Sequence, residues 1–134
     1  MIRYGILSTN TSYNNVLSEI FFNFYFFMKF KDIENEVIQN VIRYGKEYNV
    51  EIDEDFALLK LYEEVGEFTQ AVLIHRKKSR PEKHVAEDIS KKEMAKELAD
   101  IVGMAMVNAH LLGIDLEEAI DKKWISKEWL KNKN

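Results

Sequence analysis

The sequence contains few of the residues that cross-link or interrupt a polypeptide. It has no cysteine, one proline and five glycines in 134 residues. Without cysteine the chain forms no disulfide, builds no thiolate metal site and has no thiol nucleophile. This composition fits a reducing compartment, so we expect a cytoplasmic protein. The scarcity of proline and glycine leaves few obligatory backbone breaks, which favours long helices.

The sequence also lacks an excess of basic residues and a long apolar run. The formal net charge is −4, whereas a protein that binds nucleic acid polymers normally presents a basic field. The densest apolar stretch, residues 20–30, is shorter than the roughly 20 residues that a membrane-spanning helix needs. We therefore expect neither a nucleic acid polymer nor a membrane as partner.

The first 30 residues differ from the rest and are treated as an N-terminal extension. A polar stretch at 10–15 precedes the aromatic run at 20–30. Three interpretations are open: an extra helix or strand that packs on the bundle or on a partner, translation from an upstream start with Met28 as the natural first residue, or a membrane-contacting segment. The length of the chain predicts that residues 31–134 form one domain.

Apolar residues recur at helical spacing in four segments, which predicts an all-α bundle of four main helices. Asp53 is a suitable N-cap for the second helix, Ser90 with Glu93 resembles a capping box for the third, and Gly113 is a suitable C-terminal residue after it. The predicted helices span residues 33–48, 54–75, 91–112 and 116–130.

Two carboxylate pairs lie on or beside the apolar faces of the second and third helices. Glu64 and Glu67 are three residues apart on one helix, and Glu97 and Asp100 are three apart on the next, so each pair shares a helix face. Carboxylates among apolar neighbours are costly unless something compensates them. Four such oxygen donors suit Mg²⁺, or Mn²⁺, and we predict that these four residues are metal ligands.

Three further residues are candidates for catalysis or substrate binding. Glu63, together with Glu64, is predicted to activate water. Because Glu63 points toward the polar side of its helix, a supporting position behind the ligands and a merely exposed side chain are the alternatives for it. Lys60 is one turn before Glu64 and is predicted to contact a phosphate, with a solvated surface lysine as the alternative. Asn108 is predicted to bind the substrate, with a hydrogen-bonded amide inside a helix interface as the alternative.

A basic segment, residues 76–84, separates the two acidic pairs. It contains Pro81 and is expected to be a loop or a break between helices. Two interpretations remain open: a solvated surface loop, or a loop that faces the phosphates of a substrate beside the acidic site.

The stretches LYEEVGEFTQAV and KELADIVGMAMVNAHLLGIDLEEAI together resemble the MazG-like all-α nucleoside triphosphate pyrophosphatases. The motif of that group is E-E-x-x-E, a spacer and E-x-x-D, and its five acids correspond here to Glu63, Glu64, Glu67, Glu97 and Asp100. The resemblance extends over about residues 33–124. Two features depart from the group: the spacer is long and basic, and the end of the motif region, Asp121 to Trp124, lacks the Asn-Glu-Ala-Arg-like ending of many members.

The resemblance implies a helical bundle completed by dimerisation, as a homodimer or homotetramer, that binds Mg²⁺. The implied reaction is cleavage of a (deoxy)nucleoside triphosphate to the monophosphate and pyrophosphate, a reaction suited to cleaning the nucleotide pool. Two alternatives are kept: the related phosphoribosyl-ATP pyrophosphatase activity, and a non-catalytic helical module that senses nucleotides or binds a partner.

Overall fold

The computed structural model describes residues 29–126 and 128–131. The chain divides into two units, with the boundary between Ile33 and Glu34. The second unit contains all the candidate site residues and is described by itself. The predictions for the N-terminal extension concern residues that lie outside the described part, apart from its last two positions.

The described residues form an all-α structure, which confirms the predicted fold class. The three long helices are α1, Phe30–Tyr48, α2, Glu54–His75, and α3, Glu87–Leu111, and a short 3₁₀ turn, Pro81–Lys83, lies between α2 and α3. The C-terminal part contains α4, Leu116–Ile120, a π-helical turn, Asp121–Ile125, and α5, Glu128–Lys131.

Helix α2 begins and ends where the sequence predicts. The Asp53 carboxylate accepts a hydrogen bond from the backbone N–H of Phe56 at 2.7 Å, which satisfies a donor that the first turn leaves free. Glu54 and Asp55 follow in that first turn, where negative charge is favourable. The same local chemistry begins α4, since Asp115 accepts from the N–H of Glu118 at 3.0 Å.

The predicted start of α3 at residue 91 is wrong, because the helix begins one turn earlier, at Glu87. Ser90 is therefore inside the helix rather than at its cap. Its hydroxyl donates to the carbonyl of Glu87 at 2.9 Å and also lies 2.9 Å from Nδ1 of His75 on α2. The acids Glu87 and Asp88 occupy the first turn instead, where they complement the helix dipole.

The C-terminal part of the chain confirms the predicted end of α3 and corrects the predicted fourth helix. Gly113 follows α3 with a φ of +66°, the left-handed conformation expected of a residue after a helix C-terminus. The single helix predicted over 116–130 is instead interrupted after Ile120. The π-helical turn that follows ends where the N–H of Ser126 donates to the carbonyl of Asp121 at 2.8 Å, a five-residue separation.

Helices α2 and α3 run antiparallel, since Asn108 bonds to Ala57 at one end of their interface and Ser90 lies against His75 at the other. Near the start of α2, Ala57 faces Val107 of α3, and Ile38 of α1 closes this core. The three residues are 0%, 1% and 5% exposed, in the order Ala57, Val107 and Ile38. Because residues early in α2 face residues late in α3, the middle of α2, around Glu64, faces the middle of α3, around Glu97.

No single helix in residues 29–126 and 128–131 is long and apolar enough to cross a bilayer, although Glu87–Leu111 and Leu116–Ile125 meet the length and composition limits as a pair that is bent by 115°.

Candidate active site

Three of the predicted ligands meet where α2 and α3 face each other. Carboxylate oxygens of Glu64, Glu67 and Glu97 all lie within 4.8 Å of one another. We refer to these three residues as the acidic triad. Glu64 and Glu97 are each only 7% exposed, whereas Glu67 is at the surface. The triad therefore has two oxygen donors held inside the helix interface and one at its opening.

Asp100 borders the acidic triad one turn after Glu97. It does not belong to the group of mutually close oxygens, but the triad affects its protonation. Partial burial raises the pKa of the Asp100 carboxyl, and the charges of Glu64 and Glu97 raise it further. Its assignment as a fourth ligand remains a prediction.

The electrostatics of the acidic triad call for a positive ion. The carboxylates of Glu64 and Glu97, with a smaller contribution from desolvation, raise the pKa of Glu67. Oxygen Oε2 of Glu97 is buried and lacks a hydrogen-bond partner in the described part of the chain. A buried carboxylate oxygen without a donor is expensive. A hard cation with oxygen ligands would satisfy that oxygen and relieve the repulsion, so the donor set fits a divalent metal.

Lys60 and Glu63 lie beside the triad and are paired with each other. The Lys60 ammonium donates to Glu63 at 2.7 Å and lies 2.9 Å from Oε1 of Glu64. Burial on its own would lower the pKa of Lys60, but the hydrogen bonds to these two glutamates raise it above its ordinary value. The Glu63 side chain is 53% exposed, consistent with its expected direction toward the polar side of α2. Neither role, phosphate contact or water activation, is tested by this geometry.

Asn108 lies away from the triad, at the end of the helix interface. Its amide nitrogen donates to the carbonyl of Ala57 on α2 and to that of Met104 on its own helix, both at 2.8 Å. Both amide hydrogens are therefore used within the protein, as in the alternative interpretation. Only its carbonyl oxygen is left for a substrate.

Two cavities open beside the acidic triad. The first, here called the aromatic cavity, has a volume of about 460 Å³ and lies between α1, α2 and α3. The second, the connector cavity, has a volume of about 430 Å³ and lies beneath the segment that joins α2 to α3. The sequence predicts no site role for Tyr44 of the first cavity, and it includes Lys83 of the second only as part of the basic segment 76–84, for which a phosphate-facing loop is one of two interpretations. Helical periodicity identifies a buried face but does not show which residues leave space between helices.

Comparison with known proteins bears on this site. A sequence model described as phosphoribosyl-ATP pyrophosphohydrolase matches residues 46–123, more than half of the chain. The chain belongs to this family. The family is part of the MazG-like all-α nucleoside triphosphate pyrophosphatase superfamily, so the resemblance drawn from the motifs is confirmed.

Family membership makes the chain a pyrophosphohydrolase of the MazG-like kind, as the sequence predicted. The matched range includes both acidic pairs, the connecting segment and the first three residues of the π-helical turn. Searches among curated proteins and among solved structures found no significant match. In this member of the family, the acidic triad fits a metal and lies between two cavities of about 460 and 430 Å³.

Proposed function

We propose that this chain is a Mg²⁺-dependent enzyme that hydrolyses the bond between the α- and β-phosphates of a nucleoside triphosphate. The products are a nucleoside monophosphate and pyrophosphate. The observation that carries the proposal is the convergence of three carboxylates from two helices, with one buried oxygen unpartnered. Such an arrangement costs stability and is best explained by a cation that the substrate phosphates share.

The residues of the site would divide the work as follows. Glu64, Glu67, Glu97 and Asp100 would hold the metal. A divalent cation in such a site neutralises phosphate charge and acts as a Lewis acid toward the reacting groups. The ammonium of Lys60 fixes the side chains of Glu63 and Glu64 through its two short contacts. Glu63, exposed and next to the cluster, would orient the attacking water and accept its proton.

A substrate panel tests this function. Purified protein is incubated with Mg²⁺ and single nucleotides, among them dCTP, dUTP, ATP and oxidised purine triphosphates, and released pyrophosphate is measured separately from single phosphate. We expect pyrophosphate with at least one of them and no stoichiometric release of single phosphate. Release of single phosphate alone, or no turnover of any triphosphate, would contradict the proposal.

Phosphoribosyl-ATP is the second candidate substrate, and the family match favours it. It carries the same triphosphate and would be cut at the same bond, so the acidic triad does not separate the two candidates. Its additional ribose phosphate is the distinguishing feature. Comparison of kcat/KM for phosphoribosyl-ATP and for ATP decides between them, because an enzyme built for the larger substrate loses efficiency when that binding group is removed.

The remaining alternative is a helical module without catalysis. A module that kept the fold but not the metal site would show no Mg²⁺-dependent rise in Tm, whereas ligand binding to the folded state raises it. A rise in Tm that the Glu97→Gln change abolishes would show that Mg²⁺ acts at the triad.

We also propose that the active form is a homodimer or a homotetramer. Several large apolar side chains are far more exposed than a stable core would leave them: Leu59 and Tyr62 on α2 are 69% and 70% exposed, and Trp124 and Ile125 are 72% and 71% exposed. A second copy that covers these faces would bury that area. Light scattering gives the mass in solution, and a Leu59→Glu, Tyr62→Glu double variant should shift it toward the monomer.

A further inference from the structure

Each of the two cavities is lined by two of the four predicted ligands, one from α2 and one from α3. Glu64 and Asp100 line the aromatic cavity, whereas Glu67 and Glu97 line the connector cavity. Each helix therefore contributes one carboxylate of its pair to each side. A substrate whose scissile bond lies at the triad has its two ends in different cavities, and the chemistry of each cavity determines which end it accepts.

The aromatic cavity suits the nucleoside. Most of its wall is apolar, and the rings of Tyr44 and Phe56 lie with their centroids 6.3 Å apart. Its only cation among the described residues is Lys60, whose charge is already shared by Glu63 and Glu64. Apolar and aromatic walls with few polar groups are typical of sites for flat organic groups such as nucleobases. The cavity offers little to a phosphate that carries several charges.

The connector cavity also has a mainly apolar wall, but it differs from the aromatic cavity in its cation. Lys83, in the 3₁₀ turn, lines it and forms no ion pair with any residue of 29–126 or 128–131. The basic run Arg76 to Arg80 precedes it in the same connecting segment. A third carboxylate, Glu93, lines this cavity beside Glu67 and Glu97, and the Lys96 ammonium lies 3.9 Å from an oxygen of Glu93 and 3.7 Å from one of Glu97. With a cation on the triad, this cavity has positive charge available for an anion.

We propose that the β- and γ-phosphates, and therefore the leaving pyrophosphate, bind in the connector cavity against Lys83, while the nucleoside lies in the aromatic cavity. This inference deepens the proposed function and rests on it. Water adds across the α–β anhydride: its oxygen bonds to one phosphorus, the bridging oxygen leaves with the other phosphate, and its protons pass to product oxygens or a carboxylate. The products then occupy opposite cavities.

Separate binding of the two products tests this orientation without relying on turnover. Calorimetry with Mg²⁺ present measures Kd for pyrophosphate and for three nucleoside monophosphates, AMP, dCMP and dUMP. The Lys83→Gln variant should weaken pyrophosphate binding about tenfold and change binding of the monophosphates less than twofold. The Lys83→Arg variant should retain most of the affinity. The matched control is Lys78→Gln, which removes a charge from the same segment but does not line the cavity.

A variant of the aromatic cavity tests the other half of the orientation, the position of the nucleoside. Gly103 lines the aromatic cavity, and a Cβ added there meets only Val37, at an ordinary 3.7 Å. The Gly103→Leu change should therefore fill space, weaken the monophosphates and leave pyrophosphate binding unchanged. If this variant unfolds, Tyr44→Leu removes an aromatic wall of the same cavity and gives the same comparison.

The outcomes separate the inference from the function on which it rests. Three results would overturn the orientation even in an active enzyme. Lys83→Gln could weaken the binding of both products equally, it could leave pyrophosphate binding unchanged, or it could weaken the monophosphates more than pyrophosphate. A wild-type protein that hydrolyses triphosphates but binds no pyrophosphate would also overturn it. If the wild-type protein hydrolyses no triphosphate, the proposed function fails, and if it then binds neither product, the orientation fails with it.

Discussion

Helices α2 and α3 meet in two regions that differ in kind. Near the start of α2 the interface is apolar, with Ala57 and Val107 almost completely buried and the amide of Asn108 bonded across to α2. At the middle of the same two helices the interface holds the acidic triad, in which two carboxylates are only 7% exposed. Glu64 and Glu97 are almost as inaccessible as the apolar residues, but contacts in the apolar region attract the helices to each other, whereas the negative charges of the acidic region repel.

The difference indicates how this fold maintains an unfavourable site. Burial of a large apolar side chain stabilises a fold by about 1.5–3 kcal/mol. The core of Ile38, Ala57 and Val107 joins all three long helices, and on α2 it lies about two turns before Glu64. The carboxylates can then remain near one another before a cation arrives. Changes in the apolar region should mainly affect stability, and changes in the triad should mainly affect metal binding and turnover.

The largest expected effect is on turnover, from a change in the triad. Glu64→Gln keeps the size and removes the charge of a buried predicted ligand. A bound metal contributes several kcal/mol to transition-state stabilisation, so kcat/KM should fall by more than about 100-fold. Pyrophosphate release under saturating Mg²⁺ measures this, and circular dichroism should show an unchanged helical content.

The matched control for that prediction is Glu117→Gln, which removes a charge of the same type from an exposed position on α4. It should leave turnover within a factor of two. Near-normal turnover by Glu64→Gln, or a similar loss with the Glu117 variant, would show that the buried carboxylate is not part of the reaction.

The largest effect on stability is expected in the apolar region. Ile38 of α1 is 5% exposed and contacts the core made by α2 and α3. Its replacement by alanine should lower the free energy of unfolding by about 2–5 kcal/mol, from lost burial and the cavity that remains. Urea unfolding measures this, with the exposed Ile42→Ala as control. A loss as large in the control would show that the core does not lie where the contacts indicate.

A smaller effect on stability is expected from Asn108→Ala. The change removes two hydrogen bonds from the Asn108 amide to backbone carbonyls, each worth about 0.5–1.5 kcal/mol, so it should cost about 1–3 kcal/mol in all. Kinetics on the same variant decide between the two interpretations of Asn108. An unchanged KM assigns it to the helix interface alone, whereas a KM raised several-fold would assign it a contact with the substrate as well.

The sequence predicts what local chemistry determines. Asp53 caps α2 through a residue three positions away, and the start of that helix follows directly from this cap. The start of α3 was mispredicted because the Ser90 hydroxyl bonds to a backbone carbonyl and lies against His75, fifteen residues earlier. A serine that is buried against another helix has the same sequence signature as one that caps its own.

In the candidate site, too, the sequence predicts what depends on neighbouring residues and misses what depends on distant ones. The three-residue spacing of the carboxylates predicts their shared face, and the structure brings three of the four predicted ligands together. The spacing does not determine side-chain direction across the interface, so it does not separate Asp100 from the triad. It also does not predict the partner of Asn108, which is 51 residues away, or the cavity that Lys83 lines.

The smallest expected effect is on Tm, from Asp100→Asn, and it measures how far the acidic region destabilises the fold without a metal. Burial and the charges of Glu64 and Glu97 raise the pKa of Asp100, so its ionised form is less favourable in the folded than in the unfolded chain. At neutral pH, with a chelator present, Asp100→Asn should therefore raise Tm by a few degrees. With Mg²⁺ present, the order should reverse, because the wild-type protein gains more from the cation than a variant that has lost one predicted ligand. Scanning calorimetry on both proteins, with and without Mg²⁺, gives the four values. A variant that is less stable than wild type without metal would show that Asp100 stabilises the fold. The acidic region would then not be a cost that the apolar region offsets.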